Sequence, residues 1–129
     1  MIKVAVPLFK DRVSPHFGAS SKMLLVTTEA GVIQSEAPWD VGGESPMEIA
    51  RRLLSLGIQY VICGGIHRAY KDWLIRNGIN VVENQRGIAM EVIKQLLSEF
   101  ENEKHEQKRG LIFHREGLKE KNDRKEELK

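Results

Sequence analysis

The chain reads as a single α/β domain built on a mixed five-stranded sheet flanked by helices. Three observations predict it. The runs Ile2 to Val6 (IKVAV) and Tyr60 to Cys63 (YVIC) are too short for helices and too continuous for half-exposed strands. Such runs are strands buried on both faces, as in a parallel sheet. Segments with helical apolar spacing alternate with strands in the second half, which is the pattern of αβ units. The short connection Glu29-Ala30-Gly31 joins two strand-like runs, so that pair is an antiparallel hairpin.

In order, the first strand, Ile2 to Val6, is expected to stop at Pro7, which has no N–H for a ladder. Residues 7–21, rich in Pro, Gly and Ser, form a loop. Met23 to Thr28 and Val32 to Ala37 are the hairpin strands, and residues 38–44 form a second loop holding Gly42 and Gly43. Ser45 then opens a helix as N-cap, with Pro46 at the first helical position and Glu48 closing a capping box. Its apolar stripe is Met47, Ala50, Leu53 and Leu54, and Gly57 ends it.

The stretch Ile58 to Tyr70, IQYVICGGIHRAY, is the hub. A buried strand ends at Gly64 and Gly65, and a helix over about 67–77 follows, with Ala69, Tyr70, Trp73 and Leu74 on one side. Ile79 to Val82 is the last strand. Residues 83–87 lead into a final helix carrying Met90, Ile93, Leu96, Leu97 and Phe100. Right-handed crossovers then give strand order 3-2-1-4-5, with only strand 2 antiparallel. The loops after strands 1, 3, 4 and 5 emerge at one edge, bringing His16, Gly42-Gly43, Cys63 to His67 and Asn84 to the switch point where open α/β sheets bind ligands.

Composition bounds the function. A net charge of +2 is too balanced to argue for nucleic acid or an acidic membrane surface. One cysteine excludes an internal disulfide and fits a reducing compartment. No signal peptide and no membrane span is expected, so a cytoplasmic protein is. From Glu101 to Lys129, nine basic and eight acidic residues leave one apolar cluster, Leu111-Ile112-Phe113. Such a stretch cannot offset its own ordering entropy, so the reading is a domain over 1–100 and a charged helical extension or mobile tail over 101–129.

VAVP, RVSPHFGAS, a glycine-containing loop into a capped helix, and VICGGIHRAYKDWLIRNGINVV, in this order, resemble the dinitrogenase iron–molybdenum cofactor biosynthesis family. This is the NifX/NifY type of domain, also found at the C-terminus of NifB. The resemblance covers roughly residues 1–100, with HFG and GGI its most specific parts. His67 stands where the family more often has a small residue. It implies a ribonuclease H-like α/β fold and a non-catalytic role in binding or carrying an iron–molybdenum or related metal–sulfur cluster, or its precursor. A cluster donor or acceptor protein is the implied partner, and a monomer or weak homodimer is expected. A metal-free interaction or regulatory module of the same fold, binding a protein partner or a small anion, is the alternative.

His16, Phe17, Gly18, Gly42, Gly43, Cys63, Gly64, Gly65 and His67 are the candidate cluster-binding residues, with His16 and Cys63 as metal ligands. Neutral imidazole ligates most transition metals, though a loop histidine also serves as a hydrogen-bonding cap. Cys63 reads as a ligand if exposed and as an inert hydrophobe if buried. One Cys and two His cannot close a structural zinc site. They suit an anionic cluster that brings its own sulfur, with backbone N–H groups completing the grip. The glycine pairs match no nucleotide fingerprint and serve equally as plain turns. No acidic set ends the buried strands, which excludes two-metal nuclease chemistry. No nucleophile–base pair marks an enzyme. Asp11 and Arg12, in the first loop, read first as solvated surface, with lining of the pocket as the alternative.

Overall fold

The structure, a computed structural model, describes residues 1–108. The elements in chain order are β1 (Ile2–Phe9), β2 (Arg12–Val13), β3 (Lys22–Glu29), β4 (Val32–Asp40), α1 (Pro46–Ser55), β5 (Tyr60–Ile62), α2 (Arg68–Arg76), β6 (Asn80–Val82) and α3 (Ala89–Lys108). The sheet order is β4-β3-β1-β5-β6, the order expected for the five main strands. β3 is antiparallel to β1 and β4, whereas β5 runs parallel to both β1 and β6. The sheet has a sixth strand that the pattern did not predict, the two-residue β2 paired antiparallel to the end of β1.

That sixth strand corrects the reading of Pro7. β1 continues through Pro7 to Phe9. Its partner β5 is paired only as far as Ala5, and the Ser14 N–H donates to the Pro7 carbonyl at 2.8 Å. The proline therefore sits where no neighbouring strand needs its missing donor, the one interior position a strand tolerates.

Two cores lie on opposite faces of the sheet. On one, Val4, Val6, Val26, Tyr60 and Ile62 pack against Val92, Ile93, Leu97 and Phe100 of α3. Phe100 stacks on Tyr60 with ring centroids 3.9 Å apart, which fixes where α3 crosses the start of β5. On the other, Ala5, Met23, Val61 and Val81 pack against Ile49, Ala50 and Leu53 of α1 and Leu74 of α2. Ile49, not Leu54, completes the α1 stripe; Leu54 is exposed. α3 extends to Lys108, and the rest of the predicted tail, including Leu111 to Phe113, lies outside the described residues. Among the described residues, no helix is long and apolar enough to cross a membrane.

Both predicted local signals in the loops are realised. The Ser45 Oγ accepts from the Glu48 N–H at 3.2 Å, and the Glu48 carboxylate accepts from the Ser45 N–H at 2.8 Å. At the hub, the loop after β2 is laced onto the end of β5. Gly64 N–H donates to the Ser14 carbonyl (3.2 Å), Gly65 N–H to the Pro15 carbonyl (2.6 Å), and Phe17 N–H to the Gly65 carbonyl (2.8 Å). A Cβ on Gly64 would stand 2.6 Å from the Pro15 carbonyl oxygen and 2.7 Å from that of Ser14, both backbone atoms.

Two stability predictions follow from these contacts. Ser45→Ala should lower the unfolding free energy by about 1 kcal/mol, since a first-turn N–H loses its acceptor. Urea unfolding measures it, and a change within error would contradict the cap. Gly64→Ala should cost about 1–3 kcal/mol or more, because the loop must move off the corner to admit a methyl group. A wild-type midpoint in that variant would mean that the lacing contributes nothing.

Candidate functional site

The lacing decides where each predicted residue falls. His16 is brought to Gly65, with which it forms a parallel bridge. Its Nδ1 lies 3.1 Å from the position a Cβ on Gly65 would take, so the exposed imidazole sits directly over the glycine corner. Ser14, buried, pivots the turn: its hydroxyl donates to the His16 carbonyl at 3.1 Å. Phe17 is buried in the core shared with α1 and pins the loop from below. Gly18, at φ +94°, backs onto Pro46, which a Cβ there would approach to 2.8 Å. A left-handed residue without a side chain is required at that point.

Beside this corner opens a cleft of about 490 Å³ between the β1–β2 hairpin and the loop after β6. Gly64, Gly65, Val13 and Pro15 form its inner surface, Phe9 and Arg12 one wall, and Asn84 to Gly87 the other. The second wall is fixed by its backbone. Asn84 N–H donates to the Gly64 carbonyl (2.8 Å), Gln85 N–H to the Cys63 carbonyl (3.0 Å), and Val13 N–H to the Gly87 carbonyl (2.9 Å). Asn84 holds φ +64°, a left-handed conformation that asparagine adopts more readily than most residues.

Arg12 and Arg86 are the charged groups that line the cleft, and neither is ion-paired to any described residue. Among the described residues the cleft is lined by two guanidinium groups and no carboxylate, and guanidinium forks suit several acceptor atoms at once. Sequence reasoning held this open only for Arg12, as the second choice after solvated surface, and did not single out Arg86. A charged loop residue has no sequence signal separating a solvated role from a convergent one; it is the β2 pairing that places Arg12 in the same cleft as Arg86.

Of the predicted residues, Gly64 and Gly65 line the cleft, His16 lies beside it over Gly65, and the others stand apart from it. Cys63 is fully buried in the core under α1 and α2. Burial pushes its thiol up to about 12, the nearby Glu83 carboxylate adds to this, and the Lys71 ammonium partly offsets it. At neutral pH the sulfur is therefore a protonated packing atom. His67 is the N-cap of α2: its Nδ1 accepts from the Ala69 N–H at 3.1 Å, which commits that nitrogen. Gly42 and Gly43 reach the same edge but form an exposed turn, where Gly42 N–H donates to Asp40 Oδ1 at 3.0 Å. The N–H groups of Gly64 and Gly65, expected to grip an anion, are spent on Ser14 and Pro15. Those two amides are therefore not free for an anion at this corner.

Among the described residues, no group of three or more His, Cys, Asp or Glu side chains is placed to hold a metal ion. The donor set does not suit a bare cation. Two arginines line the cleft, and the His16 imidazole lies beside it, over Gly65.

Comparisons with known proteins bear on this edge and this fold. Residues 1–99 match the family described as "Dinitrogenase iron-molybdenum cofactor". No curated protein matches. Among solved structures, PH0822 is similar at 26% identity, with a TM-score of 0.69 over 76% of this chain and 92% of its own. TM1290 from Thermotoga is 26% identical, with a TM-score of 0.59 over 77% of this chain and 89% of its own. The apo form of the orange protein from Desulfovibrio gigas, 20% identical over 79% of this chain and 88% of its own, shares the fold at a TM-score of 0.60. With the family match spanning almost the whole described domain, the chain belongs to the dinitrogenase iron-molybdenum cofactor family.

Proposed function

We propose that this protein binds and carries an anionic iron–molybdenum or related metal–sulfur cluster, or its precursor, without transforming it. The observation that carries the reading is the cleft bounded by the unpaired Arg12 and Arg86 beside the glycine corner. A cluster already ligated by sulfide needs charge neutralisation and shape from its carrier rather than a full set of protein ligands. Arg12 and Arg86 supply the charge, and Phe9, Val13 and Pro15 supply an apolar surface against which soft sulfur packs. His16, over Gly65, is an exposed side chain beside the cleft that is able to ligate a metal. Release to an acceptor protein then requires breaking one coordinate bond and a set of charge-assisted contacts, which suits carriage better than permanent storage. Cys63 takes no part as a ligand in this reading; its sulfur supports the corner from beneath.

Anaerobic titration of the purified protein with tetrathiomolybdate, followed by its visible absorption, tests the proposal. Arg12→Gln and Arg86→Gln should each weaken binding about tenfold or more, the scale of a charge-assisted contact of ~1.5–3 kcal/mol. Rising salt should weaken the wild-type complex as well. His16→Ala should abolish any spectral change that reports metal coordination while leaving the melting temperature nearly unaltered. Cys63→Ser should leave affinity close to wild type. Unchanged binding in the double arginine variant and in His16→Ala would contradict the proposal and favour the metal-free interaction module.

A further inference from the structure

We infer that the Lys71–Glu83 ion pair is a strut that sets the position of the cleft's outer wall, making Glu83 a positioning residue for anion retention. The inference rests on the proposed anion-binding role of the cleft and assigns the pair a part in it. Lys71 belongs to the first turn of α2, where its N–H donates to the His67 carbonyl at 3.1 Å. Glu83 is the first residue after β6 and immediately precedes the wall residues Asn84 to Arg86. The pair therefore joins the helix that follows the glycine corner to the loop that closes the cleft.

Three features make this contact different from an ordinary surface pair. Its side chains are only 21% and 25% exposed, so water screens it less than the Arg68–Asp72 pair on the same helix, whose exposures are 89% and 46%. Removing one partner leaves the other charge partly desolvated and uncompensated, a strong force for rearrangement. The next residue, Asn84, is left-handed, and its position is set by few contacts. They are its hydrogen bond to Gly64, the Gln85 N–H bond to Cys63, the Gln85 Nε2 donating to the Glu83 carbonyl at 3.2 Å, and the strut. Loss of the strut should let the loop relax, displace Arg86 and thin the cover over the end of β5. Cys63 lies beneath that cover, close enough to both charges for them to act on its thiol. As the one cysteine of the chain, it reports wall movement by its reactivity.

The decisive variant is Glu83→Gln. Removing a negative charge close to an anion site should strengthen anion binding by Coulomb attraction alone, whereas loss of a strut weakens it. Tetrathiomolybdate affinity and the rate of Cys63 alkylation by iodoacetamide are measured together, with urea unfolding to give global stability. Glu83→Gln and Lys71→Met should each weaken binding about tenfold and speed alkylation beyond what the change in global stability allows; Lys71→Met decides the alkylation arm, since losing the ammonium by itself would slow the thiol. The charge-swapped pair Lys71→Glu with Glu83→Lys should recover both, and Asp72→Asn should change neither. Binding in Glu83→Gln that is equal or tighter, or alkylation that merely tracks global unfolding, would overturn the inference. If the unaltered protein takes up no tetrathiomolybdate, the cleft's proposed function fails by itself, and the strut is decided by alkylation alone.

Discussion

The backbone contact between residues 14–17 and Gly64-Gly65 is the constraint on which the rest of the site depends. A strand end and a helix start at the switch point of an open sheet ordinarily leave amide groups free for an anion. Here two of those amides are bonded to Ser14 and Pro15, and the carbonyls come so close that Gly64 has no room for a side chain. The gain is position. A loop that would otherwise wander is registered against the central parallel strand, which puts His16 over Gly65 and Phe17 into the core. In the proposed reading, recognition passes from backbone dipoles to the guanidinium groups that line the cleft.

The scaffold supports that exchange. Each face of the sheet has its own core, so β5 is held from both sides and its end is rigid. The hairpin of β1 and β2 and the loop after β6 then project from this rigid end and face one another across the cleft. They are tied to each other by the Val13–Gly87 hydrogen bond and by Ala89 N–H donating to the Asp11 carbonyl at 2.9 Å, which also satisfies the start of α3. Rigid elements carrying adaptable loops suit a carrier, which must hold its cargo and let it go.

Much of this was legible in the sequence, for identifiable reasons. Doubly buried strands leave continuous apolar runs, Ser45-Pro46-Met47-Glu48 spells a capping box, and a three-residue connection forces a hairpin; together these give the strand order. The return of His16 to the glycine corner was legible from the loop's Pro15 and Gly18 and from Phe17 as an anchor. The rest depends on tertiary placement. A two-residue strand such as β2 has no periodicity to detect, and Pro7 is tolerated inside β1 only because β5 ends early. Whether Cys63 faces the cleft or the core turns on the strand's parity at its last residue, and it falls on the core side with Val61. Arg12 and Arg86 carry no local mark of convergence, since the absence of a partner is not written in either residue's neighbourhood.

The most direct measurement is a backbone amide nuclear magnetic resonance map of the protein as anaerobic tetrathiomolybdate is added. Shift changes should concentrate at Arg12 to Gly18, Gly64, Gly65 and Asn84 to Gly87, saturating together, with α1 and the β3–β4 hairpin unmoved. Changes centred on the outer face of α2, or spread evenly without saturation, would contradict a cleft built by lacing the first loop onto the glycine corner.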